Sequence, residues 1–169
     1  MVRATPHLLL REQIVPRPRD EVFAFFESPA NLARITPPAM GFRMTTTGPV
    51  EMREGAVFDY RIRVAGFPLR WRSRIEEYRP GERFVDVQVS GPYASWRHEH
   101  DFDDAPGGTL VRDRVAYTLP FGPLGELVRR LAVERQLDRI FDYRRSVIAE
   151  LFNSPTGGSQ RAARMEVSP

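Results

Sequence analysis

Apolar and polar residues alternate with a period of two along much of the chain, a pattern typical of β-strands that bury one face. Seven segments show this alternation, and most are separated by turn sequences rich in glycine and proline. The predicted strands are residues 7–15, 42–47, 56–65, 67–78, 83–90, 95–103 and 109–119. In the first of them Leu8, Leu10 and Ile14 share one face. Because the connections between the last six strands are too short for a parallel crossover, we expect these strands to be antiparallel neighbours.

Three segments instead repeat apolar residues every three to four positions, which predicts helices. The first covers residues 21–26, with Asp20 as its expected N-terminal cap, and the second covers residues 30–35. A single long helix from Leu124 to about Phe152 follows the last strand and would extend for about 40 Å. Its predicted apolar stripe consists of Val133, Leu137, Ile140, Val147 and Leu151, with Phe141 and Ile148 beside them.

This order of elements predicts one α+β domain. Seven antiparallel strands would form a strongly curved sheet, with two short helices after the first strand and the long C-terminal helix across the concave face. A single apolar stripe on that helix cannot fill the concavity, so we expect an internal cavity in which a ligand binds. The domain is predicted to cover residues 7–152, after a short N-terminal lead (1–6). Residues 153–169 are polar and contain glycine and proline, which predicts a disordered tail.

Composition excludes several classes of chemistry. The chain has no cysteine, which excludes disulfide scaffolds, cysteine-ligated metal centres and thiol nucleophiles. All 25 basic residues are arginine, so lysine Schiff bases and lysine-dependent phosphate loops are excluded as well. No apolar run is long enough to span a membrane, and the N-terminus lacks the apolar core of a signal peptide. The expected compartment is therefore the cytosol.

Three segments carry a resemblance to a known family: SPANLARITPP (28–38), GPYASWRHEHDF (91–102) and LPFGPLGEL (119–127). Together they resemble the bacterial ligand-binding branch of the START-like superfamily, also called SRPBCC or the polyketide cyclase/dehydrase and lipid transport clan. The resemblance covers residues 7–152 and implies the helix-grip fold with an internal apolar cavity. It does not imply one chemistry, because the superfamily includes lipid carriers, hormone receptors, cyclases, dehydratases and co-chaperones.

The segment from Trp96 to Phe102 contains the main candidates for chemistry. With a period of two, Trp96, His98, His100 and Phe102 share a face that is predicted to point inward, opposite Arg97, Glu99 and Asp101. Imidazole can act as a donor, an acceptor, a base or a metal ligand near neutral pH. Three interpretations remain open: histidines hydrogen-bonded within the core, recognition of a polar group of a ligand, and catalysis or metal binding. A third metal ligand could come only from His7 or Asp113, and we predict no metal.

Asp113 shares its parity with Val111, Val115 and Tyr117. It either faces inward and approaches a histidine across the hairpin, or lies in solvent if a bulge shifts the parity. In the first case the carboxylate would raise the basicity of the imidazole and orient it.

Aromatic residues on the inward faces are predicted to line the cavity together with both histidines: Phe58, Tyr60, Trp71, Trp96, Tyr117 and Phe141. On the outer face the main basic cluster comprises Arg61, Arg63, Arg70, Arg72 and Arg74, and the candidates to compensate it are Asp59, Glu76 and Asp86. We interpret this cluster as a solvated face. Nucleic acid is not an expected partner, because no exposed aromatics accompany the arginines. Contact with an anionic membrane is compatible with the cluster but not required.

These features favour a protein that binds a small hydrophobic or amphipathic molecule without a cofactor, as a carrier or a sensor. The alternative is a cofactor-free enzyme of the cyclase, dehydratase or hydrolase type, with His98 or His100 as general acid/base and Asp113 as the orienting group. A third hypothesis is an interaction module with a filled core.

Overall fold

The computed structural model describes residues 6–48, 50–64, 66–122, 125 and 129–153. Its strands are β1 (His7–Val15), β2 (Arg43–Met44), β3 (Val57–Val64), β4 (Phe67–Arg79), β5 (Arg83–Ser90), β6 (Ser95–Ala105) and β7 (Gly108–Thr118). Its helices are α1 (Arg19–Glu27), α2 (Pro29–Leu32) and α3 (Glu134–Asn153). A short 3₁₀ turn (Pro38–Met40) precedes β2, and a π-helical turn (Arg129–Val133) precedes α3.

All seven strands form one antiparallel sheet in the order β1-β7-β6-β5-β4-β3-β2, which confirms the predicted α+β architecture. The sequential strands β2 to β7 are neighbours, and β1 closes the far edge beside β7. The segment that contains α1 and α2 therefore connects the two opposite edges of the sheet. Register shifts in the pairing of β4 with β5, between Arg72 and Ser73 and between Ile75 and Glu77, mark bulges, and bulges bend and twist a strand.

Several details differ from the sequence-based predictions. The strand predicted over 42–47 contains only Arg43–Met44, because the amides of Thr45 and Thr46 both turn to the carbonyl oxygen of Asp59 (2.8 and 3.2 Å). Asp20 does not cap α1: Pro18 takes the cap position, and Asp20 Oδ1 accepts a hydrogen bond from the Glu21 amide inside the first turn (2.9 Å). The short helix predicted over 30–35 is α2, which ends at Leu32.

A further difference concerns the end of the chain. The α-helical part of the long C-terminal helix begins at Glu134, and its predicted start at Leu124 lies outside the described residues. Asn153 is the last residue of α3 and does not belong to the predicted tail, of which residues 154–169 lie outside the described part. Most of the predicted lead, residues 1–5, also lies outside it.

The buried stripe of α3 is rotated from the predicted one. Its members follow a spacing of three to four residues: Leu137, Phe141, Arg144, Ile148 and Phe152. The predicted residues Ile140, Val147 and Leu151 are only half-buried beside it. An arginine therefore occupies the centre of the buried face of this helix.

Contacts with β1 hold α3 at one edge of the sheet. Gln13 Nε2 donates to the carbonyl oxygen of Arg145 (3.1 Å), and Arg11 forms an ion pair with Asp138. At the end of the sheet, α1 packs Phe23 edge-on against Phe84 and Phe102. The face of β1 that carries Leu8, Leu10 and Ile14 is exposed. None of the described helices is long and apolar enough to cross a membrane.

Candidate ligand-binding cavity

A cavity of about 470 Å³ lies between α3, the segment with α1 and α2, and the concave face of the sheet. This volume is in the range of sites for small organic ligands. Seven of the eight residues predicted to bind a ligand lie in its wall: Phe58, Tyr60, Trp71, Trp96, His98, His100 and Phe141. The wall also contains residues that were not predicted, among them Phe26, Ile62, Ser73, Asp86 and Arg144.

Tyr117 is the predicted lining residue that the structure does not place in the wall. Its side chain points inward and is buried, as its parity predicts. However, its ring packs against Tyr93 and Trp96, which line the cavity, at centroid distances of 5.6 and 6.2 Å. Tyr117 therefore supports the wall from behind.

One side of the wall is aromatic, and its polar atoms find partners within the protein. Tyr60 and Trp71 are directly opposite each other on β3 and β4, and their rings stack at 5.8 Å. Trp71 Nε1 donates to Ser73 Oγ (3.0 Å), and the Tyr60 hydroxyl lies 3.4 Å from the same oxygen. Burial raises the pKa of Tyr60, so this phenol stays protonated. This part of the cavity offers a ligand mainly apolar ring surface.

The polar side of the wall is built by three neighbouring strands. Asp113 on β7 pairs in register with His100 on β6, and Asp86 on β5 pairs with His98. Because these positions all have the inward parity, the four side chains meet on the concave face. We call Asp86, His98, His100 and Asp113 the His–Asp cluster.

Both histidines of the His–Asp cluster contact Asp113. His98 Nε2 donates to Asp113 Oδ1 at 2.9 Å. His100 Nδ1 lies equally close to the same oxygen but outside hydrogen-bond geometry, and this contact is an ion pair when His100 is protonated. The other nitrogen of each ring faces Asp86. His100 Nε2 is 3.4 Å from Asp86 Oδ2, and His98 Nδ1 is 3.7 Å from the same oxygen. Of the two alternatives for Asp113, the structure shows the inward one.

Asp86 was predicted on the outer face, and this prediction is wrong. Asp86 has the same parity as Phe84, which also lines the cavity, and its carboxylate lies beside the two histidines. The other two expected partners of the arginine cluster are on the outer face. Asp59 binds Arg72 through both carboxylate oxygens (2.8 and 3.0 Å), whereas Glu76 contacts Arg97.

Burial and neighbouring charges shift the pKa values of the two histidines in opposite directions. Burial, followed by the charge of His100, lowers the pKa of His98 to about 4. Burial also acts to lower the pKa of His100, but its contacts with Asp113 and Asp86 outweigh burial and raise that pKa above 6.5. The pKa of Asp113 stays well below 3.8, because the histidine contacts outweigh the effect of burial. His100 is therefore protonated before His98, and His98 is neutral at neutral pH.

Arg144 is a cavity residue that the sequence-based prediction missed. It lies on the buried stripe of α3, only 8% exposed, and its guanidinium lies over the Phe141 ring, 4.9 Å from the ring centre. Its Nη1 is 3.7 Å from Asp113 Oδ1, beyond hydrogen-bond distance. The signal was present in the sequence: Arg144 is three residues after Phe141 and four before Ile148, on an apolar helix face.

Among the described residues, one group could hold a metal ion: Asp86, His98 and His100, whose ligand atoms lie within 4.8 Å of one another. His7 and Asp113, which the sequence offered as a third metal ligand, are not part of this group. Asp113 contacts the opposite nitrogens of the two rings, and His7 packs against Tyr117 at 5.6 Å. The expectation that the protein binds no metal stays a prediction.

The family model described as polyketide cyclase / dehydrase and lipid transport matches residues 8–147. The chain belongs to this family. The match confirms the resemblance carried by the three sequence segments and identifies the protein as a member of the SRPBCC group. The cavity described above is a feature of its structure. No curated protein matches the chain in sequence.

Solved structures support the same fold. The Zhui aromatase/cyclase from Streptomyces sp. R1128 superposes with a TM-score of 0.70 at 17% identity, covering 91% of this chain and 99% of that one. Protein TTHA0849 from Thermus thermophilus gives 0.67 at 14% identity, covering 86% and 99%. A nucleoside-diphosphate sugar epimerase from Corynebacterium glutamicum gives 0.61 at 28% identity, covering 84% of this chain but 28% of that one. The helix-grip fold predicted from the sequence is thereby confirmed.

Proposed function

We propose that this protein binds a small hydrophobic or amphipathic molecule inside the cavity, as a carrier or a sensor. The main support for the proposal is the cavity, which has a volume of about 470 Å³ and is lined mainly by aromatic and aliphatic side chains. An apolar ligand in this space removes its own surface and that of the wall from water, which is favourable in proportion to the area buried. A volume of this size also argues against the hypothesis of an interaction module with a filled core.

The polar groups of the wall suit the head of an amphipathic ligand. The His–Asp cluster and Arg144 form one polar group at the wall, and the stacked rings of Tyr60 and Trp71 belong to the same wall. A ligand with an apolar body and one polar end therefore finds both environments in one cavity.

A thermal-shift screen tests the proposal. Long-chain fatty acids, sterols and polycyclic aromatic compounds should raise the melting temperature, because ligands that bind only the native state stabilise it. The variant Ile62→Trp should fold but lose these shifts, because Ile62 lies in the wall and the larger ring fills the space. Ile14→Trp is the matched control, since Ile14 is 55% exposed on the outer face of β1. Shifts that persist in Ile62→Trp, or no shift with any compound, would contradict the proposal.

The second candidate function is a cofactor-free enzyme that transfers protons, and one observation favours it. The neutral His98 ring donates from Nε2 to Asp113, so its Nδ1 carries no proton and is available as a base. Asp113 would orient the ring, as the sequence suggested. The shared fold with an aromatase/cyclase is an analogy that points in the same direction.

Exchange of carbon-bound hydrogen tests this second candidate directly. In heavy water, an enzyme of this kind should speed the incorporation of deuterium next to the carbonyl of β-tetralone, a bicyclic ketone. NMR of the ketone measures the rate. His98→Gln should abolish the acceleration while the ketone still raises the melting temperature. Acceleration that survives in His98→Gln would exclude His98 as the base, and no acceleration in the wild type would favour the carrier or sensor.

A further inference from the structure

Arg144 is buried in the cavity wall with part of its hydrogen-bonding capacity unused. Its Nε and Nη1 atoms are buried and have no hydrogen-bond partner in the described part of the chain. Buried N–H donors without hydrogen-bond acceptors are costly, and most buried polar groups in proteins have a partner.

No carboxylate of the cluster supplies the missing hydrogen bonds. Asp113 Oδ1 is 3.7 Å from Arg144 Nη1 and already contacts both His98 and His100. Asp86 is engaged by the same two histidines from the other side. These carboxylates reduce the electrostatic cost of the buried guanidinium, but they leave the N–H groups of Nε and Nη1 without a hydrogen-bond acceptor.

The orientation of the guanidinium suits a planar oxyanion. The Phe141 ring covers its flat face, with the guanidinium carbon 4.9 Å from the ring centre. A guanidinium donates in its own plane, and Nε or Nη1 can each form with Nη2 a pair of parallel N–H groups that matches the two oxygens of a carboxylate. The aromatic residues of the same cavity wall then surround the apolar part of the molecule.

We propose that Arg144 binds the carboxylate of an amphipathic ligand whose apolar body fills the cavity. The ligand is thus a hydrophobic carboxylic acid, and Arg144 selects it over a neutral molecule with the same body. This inference rests on the proposed cavity-binding function and adds the chemical class of the ligand to it.

The test compares dodecanoate with dodecanol, which have the same chain and differ in the head group. Isothermal titration with the full chain should show dodecanoate binding more tightly to the wild type. Arg144→Met should weaken dodecanoate binding by about tenfold to a hundredfold, the usual value of a charge-assisted hydrogen-bonded pair, and leave dodecanol binding nearly unchanged. The matched control is Arg145→Met, the same substitution at the next, exposed position of α3, which should change neither affinity.

The outcomes separate the inference from the proposed function. If both compounds bind wild type equally, or if Arg144→Met weakens both to the same extent, the cavity binds ligands but Arg144 does not select carboxylates. If neither compound binds, the proposed function fails for these ligands, and the inference fails with it. A measurement on the wild type covers the case in which Arg144→Met does not fold. The Nε–H resonance of Arg144 should shift on addition of dodecanoate and not of dodecanol, and equal behaviour with both would overturn the inference.

Discussion

Replacing His98 with glutamine should remove a part of the acid sensitivity of the fold. The pKa of His98 is about 4 in the folded protein, because of burial and the nearby charge of His100. In an unfolded chain it is about 6.5. Between these two values the unfolded chain binds a proton at this position and the folded protein does not. Acidification through this window therefore favours unfolding.

The size of the effect follows from the two pKa values. At about pH 5 the imidazole of the unfolded chain is nearly all protonated, whereas that of the folded protein is mostly neutral. Integrated from about pH 8, this difference lowers the free energy of unfolding by about 2 kcal/mol. Glutamine cannot take up the proton, and its amide can still donate to Asp113. The carboxylate of Asp113 acts outside this window, since its pKa lies well below 3.8 and its contribution is lost only at lower pH.

Urea denaturation at about pH 8 and about pH 5 measures the prediction in wild type and His98→Gln. The loss of free energy of unfolding between the two conditions should be smaller in the variant by about 2 kcal/mol. His100→Gln provides the contrast. The raised pKa of His100 makes a contribution that is fully present below pH 6.5 and is lost as the pH rises through the folded value. The wild type should therefore gain stability on acidification towards pH 6.5, and His100→Gln should not.

An equal pH dependence in wild type and His98→Gln would refute this reasoning. It would mean that the folded protein protonates His98 as easily as the unfolded chain does. Burial and the charge of His100 would then not control this ring. NMR titration of His98 would identify the error directly, since a folded pKa near 6.5 contradicts a buried ring that is neutral down to about pH 4.

Three further predictions concern packing, the chain terminus and metal binding. Phe141→Ala should lower the free energy of unfolding by about 3–5 kcal/mol in urea denaturation, because a buried ring is lost and a void remains. Removal of residues 154–169 should leave the melting temperature unchanged, because this polar segment has few apolar groups to bury; a large drop would contradict this. Elemental analysis after incubation with zinc and dialysis should find no stoichiometric metal. A divalent ion beside Asp86 and the two histidines would add positive charge close to Arg144.

The sequence by itself determined the elements and the faces of the strands that matter most for the site. Alternation with period two placed Trp96, His98 and His100 on the inward face of β6, because successive residues of a strand point to opposite sides. The sequence also predicted the turns. Glycine marks them, because turns require backbone conformations that other residues rarely adopt. Gly108, with φ of 147°, also lies so close to the backbone of Val15 that a Cβ atom would be 2.0 Å from its carbonyl oxygen.

Only the tertiary structure decided which of these inward residues meet. Asp86 joined the histidines because β5 pairs with β6 in the register that sets Asp86 opposite His98. Arg144 lies near Asp113 because contacts with β1, together with the apolar neighbours of Arg144 on α3, turn that side of the helix towards the sheet. Local patterns show the face on which a residue lies, but strand register and helix rotation depend on contacts between residues far apart in the chain. The polar side of the cavity, which combines residues of three strands and one helix, therefore arises only when the chain is folded.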